Sequence, residues 1–243
     1  MWNQYPDQPQ QYGGFTRTID QAAFDAGLRQ HMLRVYNFMM LGLAVTGAVA
    51  FLVASMPALY VPIFTTPLKW VVMLAPLAFI MVLSWRFQSM SLGALQATFW
   101  AFCAVMGLSM ASVFLVFTGA SVARVFFITA AMFAGMSLYG YTTKADLSKM
   151  GAFLMMGLMG IVIASIVNIF VGSTALQFAI SVIGVLIFTG LTAYDTQRIK
   201  EEYAENYGHE ANGKLAVMGA LSLYLNFINL FQMLLQLLGQ REE

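Results

Sequence analysis

Charge, cysteine and histidine are all scarce in this 243-residue chain, and each scarcity excludes a class of function. Charged residues make up 9% and apolar residues 60%, a balance no ordinary soluble domain of this length shows. The formal net charge of +1 supplies no basic surface for a nucleic-acid partner. The single cysteine, Cys103, lies inside an apolar run, which rules out a disulfide within the chain and a CxxC redox pair. The two histidines, His31 and His209, stand far apart and in no metal-ligand spacing such as HExxH, so both are expected to be solvated surface residues.

Catalytic constellations are absent as well. The stretch Gly135 to Gly140 falls within or ends an apolar helix instead of following a strand, so it is not a phosphate loop. Ser109, Ser137 and Ser165 have no base beside them in a recognisable motif. The acids Glu201, Glu202, Glu205 and Glu210 interleave with Arg198, Lys200 and Lys214, the pattern of a solvated loop. The chain does not read as an enzyme, and no cofactor is implied.

What the sequence has in abundance is apolar length. Runs able to cross about 30 Å of hydrocarbon occur at Phe38 to Met56, Leu68 to Trp85, Leu95 to Phe117, Val122 to Tyr141, Met150 to Val171, Ala175 to Tyr194 and Leu215 to Leu238. The fold class is therefore an all-α membrane protein with seven transmembrane helices. Pro76, in the middle of the second run, removes one hydrogen bond from the ladder and should kink that helix. The eighteen methionines are flexible fillers of the bundle core.

With spans alternating in direction, Arg17, Arg29, Arg34, Arg86, Lys144, Lys149, Arg198, Lys200 and Lys214 fall on one side of the bilayer. Only Lys69, Arg124 and Arg241 fall on the other. The positive-inside bias places the N-terminus in the cytoplasm. Residues 1–27 read as a disordered cytoplasmic tail, rich in Gln, Tyr, Pro and Gly, followed by the start of an interfacial helix on which Phe24, Leu28, Met32 and Val35 recur at helical spacing. Residues 28–239 form the seven-helix domain.

One polar pattern interrupts the apolar runs. Asp195 closes the sixth, and the seventh carries Ser222, Asn226, Asn229, Gln232 and Gln236 within roughly a third of its helical circumference at 100° per residue. Ionisable and amide side chains at membrane depth are costly in lipid, so this stripe should face the bundle interior and mark a functional path.

Four segments carry a family likeness: DAGLRQHMLRVYNFMMLGLAVTG at 25–47, GMSLYGYTTKADLSKMG at 135–151, TGLTAYDTQRI at 189–199 and ALSLYLNFINLF at 220–231. Together and in this order they resemble the bacterial branch of the transmembrane Bax inhibitor motif family. The resemblance implies seven helices with the last one central and six packed around it. It implies a pH-sensitive calcium leak controlled by two acids on the sixth and seventh helices, with Asp195 as the first and as the gating, metal-attracting residue. The second position is held here by Asn226, and an amide cannot titrate as one of a pair of carboxylates does.

Asn229 and Ser222 would extend the ion pathway, and Arg86 is the candidate basic partner, drawn from the second helix. Calcium or another cation would be the permeant species, and the lipid bilayer the main partner. The resemblance also supports a second role, a regulatory or interaction protein in stress survival or membrane-protein quality control, acting on a membrane protease or other membrane proteins. A proton-coupled transporter is a third reading, for which inverted repeats and broken helices are not visible. The expected location is the bacterial inner membrane, crossed several times.

Overall fold

The computed structural model describes residues 12–203 and 208–242, with side chains from residue 24 onward. Its elements in chain order are α1 (Tyr12–Ser55), α2 (Pro57–Thr65), α3 (Leu68–Arg86), α4 (Leu92–Val116), α5 (Gly119–Thr142), α6 (Ser148–Val171), α7 (Thr174–Glu202) and α8 (Gly208–Leu238). Seven of these, all except α2, are long and apolar enough to cross a membrane. The short α2 is an addition to the expected spans; it begins with Pro57, a residue suited to the first helical turn because its missing N–H needs no partner there. Of residues 1–27, expected as a disordered tail and the start of an interfacial helix, 1–11 lie outside the described residues; from Tyr12 the chain is helical, and α1 runs unbroken into the first span.

Helix boundaries follow local chemistry. Ser91, Thr118 and Ser173 each accept a hydrogen bond from the backbone N–H three residues ahead, capping α4, α5 and α7. Gly172 ends α6 with φ at 64°, a left-handed conformation that a side chain would strain.

In lipid the hydrophobic effect does not drive helix against helix, so close backbone approach and hydrogen bonding must hold the bundle. Among the candidate spans α8 is the most enclosed, with 56% of its apolar window buried, against 11% for α3 and for α6. It packs against α1, α4, α5 and α7, while α3 leans on α4 and α6 on α7. The last helix is thus central, as the polar stripe implied. Its far end is fastened by a short antiparallel bridge: Thr118 N donates to Gln240 O and Glu242 N to Val116 O, each at 3.0 Å. The C-terminal residues therefore lie at the α4–α5 connection, at the opposite end of α8 from Gly213, which packs on Leu92.

Two hydroxyl networks at membrane depth tie helices together. The Thr46 hydroxyl donates to the Cys103 carbonyl at 2.9 Å and meets the Tyr224 hydroxyl at 2.6 Å, linking α1, α4 and α8. Tyr36, Ser137 and Thr196 form a second chain, at 2.5 and 3.0 Å, through α1, α5 and α7.

The α5–α7 contact is close enough that a β-carbon on Gly140 would collide with the Ala193 carbonyl, whereas Gly135, one turn earlier on α5, faces open space. Gly140→Ala should therefore destabilise by about 1–3 kcal/mol, the scale of overpacking a core, despite the better helix propensity of alanine. Thermal unfolding in detergent should show a lowered midpoint for Gly140→Ala and none for Gly135→Ala; equal midpoints would contradict the close approach.

Candidate functional site

Asp195 lies on α7, 7% exposed, with its carboxylate turned onto α8. One oxygen, Oδ2, accepts from Asn226 Nδ2 at 2.7 Å and from the Ser222 hydroxyl at 3.0 Å. The other, Oδ1, is 3.0 Å from Arg198 Nη2. Arg198 also donates to Ser222 Oγ at 3.1 Å, which closes a compact ring of three side chains, Asp195, Arg198 and Ser222, with Asn226 bonded to it from outside. A carboxylate only accepts, so the Asn226 amide must turn its NH2 group to Asp195 and its carbonyl oxygen away. The helical projection brought these residues together because α8 begins well before Asn226, at Gly208, and so reaches the level of Asp195.

The basic partner differs from the expected one. Arg86 occupies the last turn of α3 and is exposed, and among the described residues it forms no ion pair. Arg198 is three residues beyond Asp195 on the same helix, the spacing that stacks side chains on one face, and so reaches the carboxylate without help from another helix. Its Nε is 3.5 Å from Glu202 Oε1, in ion-pair range but without an aligned hydrogen-bond acceptor. Its guanidinium also lies 5.8 Å from the Tyr194 ring centre. One arginine is thus shared between a buried and an exposed carboxylate.

Asp195, Arg198, Ser222, Asn226 and Asn229 line one cavity of about 520 Å³, walled on its outer side by apolar residues of α6 such as Leu158 and Ile161. A smaller hollow of about 310 Å³ reaches Arg198 and Ser222 from the α3 side, past Ser84 and Phe87. Asn229, also lining the cavity, is half-buried and donates to the Leu225 carbonyl at 2.8 Å, which leaves its side-chain oxygen free of that bond. Gln236, expected on the same protected stripe, is exposed near the end of α8, where the bundle no longer covers it. No group of three or more His, Cys, Asp or Glu side chains with metal-holding geometry occurs among the described residues. One carboxylate with amide and hydroxyl oxygens can attract a hard cation in passing but is a poor set for retaining one.

Residues 28–243 match the family described as "Inhibitor of apoptosis-promoting Bax1". The chain belongs to the Bax inhibitor family. It is 45% identical to the inner membrane protein YbhL of Escherichia coli K12, over 89% of this chain and 94% of that one. It is also 48% identical to an uncharacterized protein of Caulobacter vibrioides, over 95% and 98% of the two chains, and 44% identical to one of Rickettsia prowazekii, over 94% and 97%. The protein is thus a multi-pass membrane protein.

Several structurally important residues near this site were missed from sequence. Gln197 is buried and clamps the α5–α6 connection to α7: its Nε2 donates to the Ala145 carbonyl at 2.8 Å and its Oε1 accepts from Leu147 N at 2.9 Å. Lys200 adds a bond to the Tyr141 carbonyl at 2.8 Å. Within that connection Asp146 is exposed, and the hydroxyl and backbone N–H of Ser148 hold its carboxyl below the usual range. His31, expected in solvent, is instead 5% exposed, its ring centre 5.3 Å from that of Tyr203. The cause is that α1 continues as one helix beside the end of α7, where the Tyr203 hydroxyl fills the space left by Gly27. His209 is exposed as expected.

Gln197→Ala should release two backbone groups at once, each hydrogen bond being worth about 0.5–1.5 kcal/mol. Amide exchange across residues 143–148 should then accelerate by about tenfold or more, on the rule that 1.4 kcal/mol is a factor of ten. Unchanged exchange there would show that Gln197 does not hold the connection.

Proposed function

We propose that the protein is a calcium-permeable cation leak in the inner membrane, with its N-terminus cytoplasmic and Asp195 as the acid that attracts and gates the ion. The observation that carries this reading is the ring around Asp195: a buried carboxylate, closed by Arg198 and opening onto a cavity that offers Ser222, Asn226 and Asn229 as oxygen donors. In this conformation every Asp195 oxygen is engaged, and Arg198 occupies the place a cation would take. Passage requires Arg198 to leave. Glu202, already in ion-pair range, and the open hollow beside α3 give the guanidinium somewhere to go.

The role of Arg198 as a tethered plug makes the leak a competition between two cations for one carboxylate. The side chain of Arg198 is 41% exposed, so solvent weakens its hold and the competition is modest. Among the described residues, Asp195 is the one carboxylate that lines the cavity, and Arg198 is its one basic residue. The family's two-acid pH response therefore has one acid fewer here.

Calcium efflux from liposomes holding the purified protein tests the reading. Arg198→Gln should raise flux by about three- to tenfold, the span of one charge-assisted contact discounted for exposure. Asp195→Ala should remove most of the flux, while Glu201→Ala, exposed on the same helix, should leave it near the unmodified level. Flux that ignores Asp195, or no flux at all from folded protein, would reject the leak and favour the regulatory reading.

Position 226 gives a separate outcome. In the unmodified protein, with a single carboxylate at the site, flux should change only gradually over a titration from about pH 5 to 8. Asn226→Asp sets a second carboxylate at the site, and two acids in contact share one proton at higher pH than either alone, so the response should steepen toward neutrality. A steep transition already present, and unmoved by Asn226→Asp, would exclude position 226 from the sensor.

A further inference from the structure

On the opposite flank of α8 from Asp195, a groove of about 700 Å³ opens sideways between α1 and α5. Phe227 of α8 is its floor; Met32, Met39 and Met40 line one wall, Phe133 and Ala134 the other. It continues through Leu43 and Phe126 into a smaller chamber of about 270 Å³ that is almost wholly apolar. From Arg29 to Leu43 the α1 wall is about 21 Å long at 1.5 Å per residue, more than the ~15 Å of hydrocarbon in one leaflet. Methionine walls adapt to an irregular chain. The two walls are joined by the Tyr36–Ser137 hydrogen bond at 2.5 Å, so they cannot part to admit a helix about 10 Å across.

The mouth of the groove is basic. Arg29 stands there, exposed, with no ion-pair partner among the described residues, and Asp25 one turn earlier does not pair with it. Lys200 lies 5.6 Å from the ring centre of Tyr141, another mouth residue, and spends one of its three donors on the Tyr141 carbonyl. Among the described residues no Asp or Glu lines the groove. An apolar slot at membrane depth, ending in two cations at the interface, fits an amphiphile with one apolar tail and an anionic head.

We propose that this groove binds one acyl chain of an anionic phospholipid, with the lipid phosphate held at the mouth by Arg29 and Lys200. Lysine and arginine at the interface favour anionic over zwitterionic headgroups through the same charge-assisted hydrogen bonds that bind phosphate elsewhere. The tail replaces the bulk lipid that would otherwise fill the slot poorly, and the head gives the site its selectivity.

The test uses full-length protein in nanodiscs carrying a trace of phospholipid with a photoactivatable acyl chain, presented either as phosphatidylglycerol or as phosphatidylcholine. With the anionic probe, label should concentrate on residues 29–43 and 126–141 over the exposed α6 face around Phe170, and unlabelled phosphatidylglycerol should compete it away. Ala134→Trp, an exposed position that fills the slot, should abolish the enrichment while leaving α6 labelling as it was. Met40→Trp on the other wall is the second variant, should the first not fold. Arg29→Gln should lower the preference for the anionic probe about three- to tenfold, the scale of one exposed charge-assisted bond. Label spread over α3, α5 and α6 in proportion to exposure would mean annular lipid only and would overturn the proposal. So would equal enrichment of the zwitterionic probe.

Discussion

A carboxylate inside a lipid-embedded bundle must be compensated where it stands, and the compensation of Asp195 fixes how α7 and α8 meet. An unpaired charge at that depth would cost several kilocalories per mole. Three donors from two helices remove that cost: Arg198 from the same face of α7, Ser222 and Asn226 from α8. The two α8 donors are one helical turn apart, so the carboxylate sets both the rotation and the height of the central helix. Lipid-facing residues elsewhere, such as Phe170 and Trp85, impose no comparable register.

The other polar contacts at membrane depth reinforce the same register. Thr46 and Tyr224 hold α1 to α8, and the chain Tyr36–Ser137–Thr196 holds α1 and α5 to the residue next to Asp195. Gln197, two residues beyond Asp195, fixes the α5–α6 connection. Because hydrophobicity does not distinguish one helix pairing from another in lipid, a few hydrogen bonds of this kind, with glycines where backbones touch, specify which faces meet. The peripheral helices α6 and α3, with little buried surface, border the Asp195 cavity and the neighbouring hollow respectively without being locked to α8.

Much of this was legible in the sequence. Seven apolar runs gave the seven spans, and the 100° projection placed Asn226 and Ser222 on one face, where both meet Asp195. Arg198 was equally within reach of helical arithmetic, three residues from Asp195, but a basic residue near a cytoplasmic helix end also reads as a topology signal, and Arg86 was preferred as the partner. Other misses depend on tertiary contact. His31 is buried because Tyr203, 172 positions later, closes over it, and Gln197 matters because the α5–α6 connection passes beside it. No periodicity in the local sequence carries such information. The helix at Pro57–Thr65 was hidden by its two prolines, one of which in fact starts it.

The central claim is that Arg198 governs ion passage through its contact with Asp195, and a double-mutant cycle in calcium efflux tests it most directly. Efflux would be measured for Asp195→Asn, Arg198→Gln and the two combined, alongside the unmodified protein. If the arginine acts only by occupying that carboxylate, removing it raises flux while Asp195 is present and changes nothing once Asp195 is neutral; the coupling should then approach 1.4 kcal/mol, a factor of ten. Independent effects that simply multiply would contradict the claim and leave the Asp195–Arg198 pair as packing alone.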